Sequence, residues 1–510
     1  MCGFIFQNNK EATVNIERFN EELDSIQWRG PDAKKIVALN DNKTALGHCR
    51  LAILDLNSRA DQPMQTKCGR YHILLNGEIY NHKDLREKLD LSCETESDTE
   101  TVLEGYKKIG KKIFSLLDGM FAVAIYDEES DSWVAARDAF GIKPLFIAKT
   151  SGGHILSSEA APIARLIGAA PSKEAIYEWE IIRRPLPGFS FFEGVTEVMP
   201  GTIIDSSGGV EKHWDWDEIS SQNEFSQDIF EQLLKESIEM HCLSDVDNVS
   251  LLSGGLDSAI IAKLSNIDVC YTIGLPNNNE FIGAKETADR IGKKLHQVEL
   301  TPEELTENWK FLTQMRGEPL CLPNEGLIYH VCKNMKPTEK VVLTGEGADE
   351  LLFGYDGIFR WCLEQKELNT KEFLLKYGYS EDIRSERLIK YVQELKQGKT
   401  PIEFLEDFFY QVHLPGLLRR MDFASMAASK ESRVPFVNKK LISYVYRQNP
   451  SFKINEEEAK IPIRKFAEKL QLYGALERKK IGFSATLNKS VTRQKDYEEF
   501  RNIIMEVLGW

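Results

Sequence analysis

Two hydrophobic patterns alternate along this chain. Short apolar runs closed by glycine or a polar turn mark strands, and apolar residues spaced three and four apart mark helices. Runs of the first kind fall at 47–54, 72–81 and 120–127, and again at 249–252, 269–275 and 341–344, and 296–300 reads as a further strand. Helical character is expected over 225–242, 259–264 and 281–294, and Glu96-Ser-Asp-Thr-Glu100 opens another helix. The short run Val249-Ser-Leu-Leu252 suits a parallel-sheet strand buried on both faces. Turn signals at Pro185-Leu-Pro-Gly188, Val198-Met-Pro-Gly-Thr202 and Ser206-Ser-Gly-Gly209 separate the two halves. The domain junction is expected near residues 200–220.

Composition narrows the picture. A chain of 510 residues is too long for one core, so two or three domains follow. With 42% hydrophobic and 28% charged residues it reads as a soluble globular protein. A formal charge of −15 argues against a nucleic-acid partner, which would want a basic face. No apolar run reaches the length of a membrane span. Met1-Cys-Gly-Phe-Ile-Phe6 lacks the basic region of a signal peptide. Nine cysteines with no Cys-x-x-Cys pair fit reduced thiols and a cytoplasmic location better than disulfides or a zinc site.

The sharpest local signal is Asn248-Val-Ser-Leu-Leu-Ser-Gly-Gly-Leu-Asp-Ser258. A strand, a glycine turn and a helix make a phosphate cradle: backbone N–H groups at Gly254 and Gly255 approach an anion, and the helix N-terminus adds partial positive charge. Ser253 and Ser258 add hydroxyl donors. Asp257 would repel bare phosphate, so it is read as holding a metal ion that bridges phosphates. No Gly-Lys-Ser/Thr follows, so this is not a Walker loop. The stretch from Val341 to Tyr355 repeats the strand–loop–helix logic and carries Glu346, Asp349 and Glu350, which make sense beside phosphate with Mg²⁺ or as a proton acceptor. At the end of the run 269–275, Ile273 and Gly274 would line an adenine pocket across the carboxyl ends of the strands.

The first half carries separate chemistry. Loss of the initiator methionine would leave Cys2 as a thiol with its own α-amine, a nucleophile and base in one residue. Arg50 is a bidentate carboxylate binder. Asn76 amide and Gly77 N–H could form an oxyanion hole. Asp98, at a helix start, could receive an ammonium. Taken singly, each has a bland reading: an incidental cysteine, a surface ion pair, a hairpin turn, a helix cap.

Together with Arg29-Gly30-Pro31-Asp32 and Ala136-Arg-Asp-Ala-Phe-Gly-Ile-Lys-Pro-Leu145, these residues have the order and spacing of the class II glutamine amidotransferases, from residue 2 to about 160. One position departs: Trp28 stands where that family often has histidine. The Ser253–Ser258 loop resembles the SGGxDS pyrophosphate loop of enzymes that split ATP into AMP and pyrophosphate. With Arg419–Phe436, Lys460-Ile-Pro-Ile-Arg464 and Arg478-Lys-Lys-Ile-Gly-Phe483, the second half is similar to the asparagine synthetase family. The resemblance implies an α/β two-domain protein. Residues 2–205 would form an N-terminal-nucleophile αββα sandwich, and residues 220–510 a doubly wound parallel sheet of the ATP pyrophosphatase type. It also implies ATP and Mg²⁺, with small-molecule substrates as partners and a homodimer as the assembly to test. Catalysis would fall to Cys2, Asn76, Gly77 and Glu346. Glutamine would be held by Arg50, Leu51, Ile53, Asn76, Gly77, Glu78 and Asp98. ATP would lie on Leu251, Ser253, Gly254, Gly255, Asp257, Ser258, Ile273, Thr344, Gly345 and Lys460, with the metal on Asp257 and Asp349.

The expected reaction is glutamine-dependent amidation of a carboxylate through an acyl-adenylate, with ammonia led through a sealed passage. Glutaminases that amidate sugar phosphates or phosphoribosyl groups lack the Ser253–Ser258 loop. A β-lactam-forming synthetase would not be expected to keep Cys2, Arg50 and Asp98 together, and a non-catalytic homologue would be expected to lose Cys2 or Asp257. Aspartate is the expected acceptor. The segment Met315-Arg-Gly-Glu-Pro-Leu-Cys-Leu-Pro-Asn-Glu-Gly-Leu327 matches the aspartate-specific pattern poorly, which keeps a sugar acid, a peptide or a natural-product acid as the alternative.

Overall fold

The computed structural model describes residues 2–216, 219, 224–478 and 493–510. Of the motif 478–483, all but Arg478 lies outside the described residues.

Twelve strands build the first domain: β1 (Cys2–Asn9), β2 (Ala33–Leu39), β3 (Thr44–Arg50), β4 (Met64–Gln65), β5 (Tyr71–Ile79), β6 (Gly119–Asp127), β7 (Ser132–Arg137), β8 (Phe146–Lys149), β9 (Gly153–Ser157), β10 (Thr196–Glu197), β11 (Thr202–Asp205) and β12 (Val210–Lys212). They form two six-stranded sheets, ordered β10-β8-β9-β1-β3-β2 and β12-β11-β7-β6-β5-β4. Side chains alternate between the faces of each strand. Phe4 and Phe6 of β1 meet Ala122, Ala124 and Tyr126 of β6 between the sheets. Their neighbours Ile5 and Phe121, Val123 and Ile125 point outward. Helices cover both outer faces: Ile16–Asp24 and Ala160–Ile167 on the first sheet, His82–Lys88 and Asp98–Ile109 on the second. The result is the expected αββα sandwich. β3 stops at Arg50 and β5 continues past Asn76 to Ile79.

Five parallel strands build the second domain: β13 (Asp247–Leu251), β14 (Val269–Gly274), β15 (Lys294–Glu299), β16 (Glu339–Leu343) and β17 (Glu431–Arg433), in the order β15-β14-β13-β16-β17. The chain starts at the central β13, steps outward to β15, then crosses back to lay β16 on the other side of β13. That reversal opens a crevice at the carboxyl ends of β13 and β16, where doubly wound sheets bind ligands. Helices Gln227–His241, Leu256–Leu264 and Ile461–Lys469 bury one face, against Val341 and Leu343. Helices Pro302–Arg316, Glu325–Lys333 and Arg493–Leu508 bury the other, against Val249, Leu251 and Val342. Burial on both faces is why the inner strands β13, β14 and β16 are rich in apolar residues, while the edge strand β15, Lys-Leu-His-Gln-Val-Glu, is largely exposed. Among the described residues, no helix is long and apolar enough to cross a membrane.

Candidate active sites

The first site is built where β1 begins. Its register pairs Cys2 with Arg50 of β3, and the Cys2 backbone nitrogen donates to Asn76 Oδ1 at 3.1 Å. Cys2 is only 6% exposed. Burial pushes its thiol up, against the amino-terminal charge, the Leu51 backbone and Arg50, which pull it down. Asn76 is fully buried, and its Nδ2 finds no hydrogen-bond partner among the described residues. A buried donor without an acceptor costs about 1–3 kcal/mol, a cost that an oxygen bound beside Cys2 would remove. At Gly77 any side chain is excluded, since a Cβ would lie 2.0 Å from the Met120 carbonyl oxygen.

The Arg50 guanidinium is seated in the loop after β3. It donates to the carbonyls of Asn57 and Leu54 at 3.0 and 3.1 Å and to Asp61 Oδ1 at 2.7 Å. Leu51 and Ile53 are buried beside it. Ser97 caps the helix that starts at Asp98, and Asp98 Oδ2 accepts the Ile79 N–H at 2.8 Å. Burial raises the Asp98 carboxyl, partly offset by that N–H. Glu78 faces the second domain and accepts from Arg433 at 3.1 Å. Burial, and then the neighbouring Asp98, hold its carboxyl well above the usual range.

The second site lies at the crevice between β13 and β16. The hydroxyls of Ser253 and Ser258 are 3.0 Å apart, and Ser253 Oγ accepts the Gly255 N–H at 3.1 Å. The helix Leu256–Leu264 follows with no side chain capping its N-terminus. Gly345, beyond β16, packs directly on Asp257. Lys460 is not a solvated helix lysine. It is 8% exposed, sits in the left-handed region at φ 59° and starts the helix Ile461–Lys469. Its ammonium donates to both oxygens of Asp257 at 2.9 and 2.7 Å and pairs with Asp349 Oδ1 at 2.6 Å. Leu251 and Ile273 close their strands beside this loop, and the Thr344 N–H is held by the Arg433 carbonyl at 2.9 Å.

The three carboxylates of the β16 loop diverge. Asp349 goes to Lys460, Glu346 is paired by Arg420, and Glu350 turns into the protein to accept from Tyr355 at 2.7 Å. No group of three or more His, Cys, Asp and Glu side chains converges on a metal position among the described residues. Asp257 and Asp349 still converge on one cation, the Lys460 ammonium. That fits Mg²⁺, which is commonly held by one or two carboxylates and completed by phosphate oxygens.

Buried ions lie between the two sites. Arg29 donates to the Cys2 carbonyl at 3.0 Å, to Glu159 at 2.6 Å and to Asp422 at 2.8 Å. Glu159 feels the charges of Arg316 and Arg419, which both pair with Glu318. Arg316 also lies 3.6 Å from Glu325, and Arg420 joins Asn324 to Glu346. Sequence reasoning missed Arg29, Asp422, Arg420 and Gly354 as site residues. Only Arg29-Gly-Pro-Asp and the adjacent Arg419-Arg420 could have pointed to them.

Residues 1–216 match the glutamine amidotransferase domain family, and residues 230–506 match the asparagine synthase family. The chain belongs to the asparagine synthase family and is a glutamine-hydrolysing, ATP-using amidotransferase of the asparagine synthetase type. It is 25% identical to glutamine-hydrolysing asparagine synthetase 3 of Bacillus subtilis strain 168, over 97% of this chain and 88% of that protein. It is 28% identical to glutamine-hydrolysing asparagine synthetase B of Escherichia coli K12, over 89% of this chain and 76% of that protein. Amidase chry2 of Gibberella zeae is 30% identical over 68% of this chain and 57% of its own length.

Proposed function

We propose that the protein makes asparagine from aspartate, glutamine and ATP. With Met1 removed, the α-amine of Cys2 takes the thiol proton and the thiolate attacks the carboxamide of glutamine. Arg50 receives the glutamine α-carboxylate and Asp98 its ammonium, with Leu51, Ile53 and Glu78 closing the pocket. Asn76 Nδ2 and the Gly77 N–H hold the oxyanion, and ammonia leaves as the thioester forms.

In the second domain Ser253, Gly254, Gly255 and Ser258 receive the phosphates, and Leu251, Ile273, Thr344 and Gly345 line the nucleoside. Mg²⁺ held by Asp257 and Asp349 would screen the phosphate charge while the acceptor carboxylate attacks the α-phosphorus. Lys460 stabilises charge developing there, and Glu346, oriented by Arg420, assists formation and resolution of the acyl-adenylate. Ammonia reaches that adenylate through the protein interior, because in water it would be mostly ammonium.

The observation that supports this reading most is one buried helix, Leu414–Met426, that carries both Asp422, paired with the Arg29 that holds the Cys2 carbonyl, and Arg420, paired with Glu346. The test is a panel of carboxylic acids offered with ATP, Mg²⁺ and glutamine, read as acid-dependent pyrophosphate release. Aspartate is expected to give the highest kcat/KM. A sugar acid, peptide or natural-product acid that outruns it would replace aspartate as acceptor, while pyrophosphate release from none of them would remove the adenylation reading.

A further inference from the structure

We infer that Lys460 is an exchangeable counter-ion. It closes the Asp257–Asp349 pair in the nucleotide-free protein and gives up that position to a divalent cation only when a nucleoside triphosphate enters. The inference rests on the reading of Asp257 and Asp349 as metal holders.

The ammonium occupies the point where a metal would sit, with three carboxylate oxygens within 2.9 Å. The fold is shaped to put it there. Lys460 takes a left-handed backbone at φ 59°, a conformation unfavourable for a non-glycine residue. Gly354 leaves the room: a Cβ there would lie 2.0 Å from Asp349 Oδ1 and 2.2 Å from Lys460 Cε. Gly345 brings the second loop onto Asp257 in the same way.

Ligand supply decides which cation wins. Mg²⁺ dehydrates reluctantly and wants six oxygens, whereas no third carboxylate converges here among the described residues. Without nucleotide, an ammonium already tethered to the chain and needing only three acceptors is the better occupant. A triphosphate changes both sides of the exchange. It supplies the missing oxygens for the metal, and it offers the displaced ammonium anionic oxygens a short distance away. Metal and nucleotide therefore enter as one unit, and Lys460 is delivered to the phosphates by the same event.

The test uses the full chain with Mn²⁺ in place of Mg²⁺ and follows water proton relaxation enhancement, which separates Mn²⁺ on the protein from Mn²⁺ on free nucleotide. The parent protein is expected to bind Mn²⁺ weakly alone and at least tenfold more tightly with a non-hydrolysable ATP analogue, a comparison that needs no variant. Lys460→Met, which removes the competing charge, should bind Mn²⁺ without nucleotide at least tenfold more tightly than the parent. Adding Asp349→Asn should cancel that gain. Parent protein that binds Mn²⁺ equally well with and without the analogue, or Lys460→Met that gains nothing, overturns the exchange. If Asp257→Asn leaves the Mn²⁺–analogue complex of the parent unchanged, the assignment of the metal to these carboxylates fails, and the exchange falls with it.

Discussion

Arg29 in the first domain donates to Asp422 in the second across 2.8 Å, with neither side chain more than 2% exposed. Lys143 reaches the other oxygen of Asp422 at 3.2 Å. Burial would raise the Asp422 carboxyl, but the two cations hold it below the usual carboxylate range. Through the Arg29–Cys2 hydrogen bond, this ion pair ties the nucleophile's strand to the synthetase domain. Asp422→Ala would take the carboxylate away from the buried Lys143 ammonium and leave Arg29 paired with Glu159, and is expected to cost about 3–5 kcal/mol, measured by urea unfolding. In the folded fraction, glutamine hydrolysed per amide formed should rise above one. An unchanged unfolding midpoint would remove the ion pair from the domain junction.

Cys2→Ala is expected to abolish glutamine-dependent amide formation, because no covalent intermediate can form. Asn76→Ala should lower glutaminase kcat by about 10²–10³, the usual loss for one oxyanion donor. Neither substitution touches the ATP site, so ammonium salts at elevated pH should support amide formation in both. The check is product formed from glutamine and from ammonium in one preparation. Cys2→Ala that still uses glutamine would end the nucleophile assignment.

Gly354→Ala is expected to break the second site and spare the first. Its Cβ would overlap Asp349 and Lys460, so one must move by an ångström or more. Misplacement on that scale costs roughly 10²-fold in rate. Acid-dependent ATP–pyrophosphate exchange should fall accordingly while glutamine hydrolysis continues. Equal exchange rates in parent and variant would show that the Lys460–Asp349 contact is not needed.

Acid should destabilise the protein through His48 and His241. Both are fully buried, and burial lowers each imidazole from 6.5 to about 3. The folded state therefore binds protons less readily than the unfolded chain. The stability is present above about pH 6.5 and is lost as pH falls toward 3, at about 1.4 kcal/mol per pH unit for each histidine. Urea midpoints at pH 7, 6 and 5 measure the slope, and His48→Gln should flatten it by one proton. A variant with the parent's slope would exclude His48.

The sequence by itself determined the local elements and the chemistry they carry. Apolar runs at 120–127, 249–252 and 341–344 and Gly-Gly-Leu-Asp-Ser after a strand are short-range patterns. Such patterns depend on backbone geometry and one or two buried faces, both legible from neighbouring residues. Cys2, Arg50, Asn76 and Asp98 could be assembled only through their likeness to a family, since each alone has a common structural use. Tertiary structure decided the rest. Lys460 is assigned to the phosphates only through family likeness; packing of its helix on the helix Leu256–Leu264 is what brings it onto Asp257, 203 residues away. Glu346, Asp349 and Glu350 looked like one cluster until the turn after β16 sent them to Arg420, Lys460 and Tyr355. Arg29 and Asp422, 393 residues apart, carry no local sign of each other. Charge pairing in a buried interface depends on which distant groups the fold desolvates together, and only the packed chain contains that information.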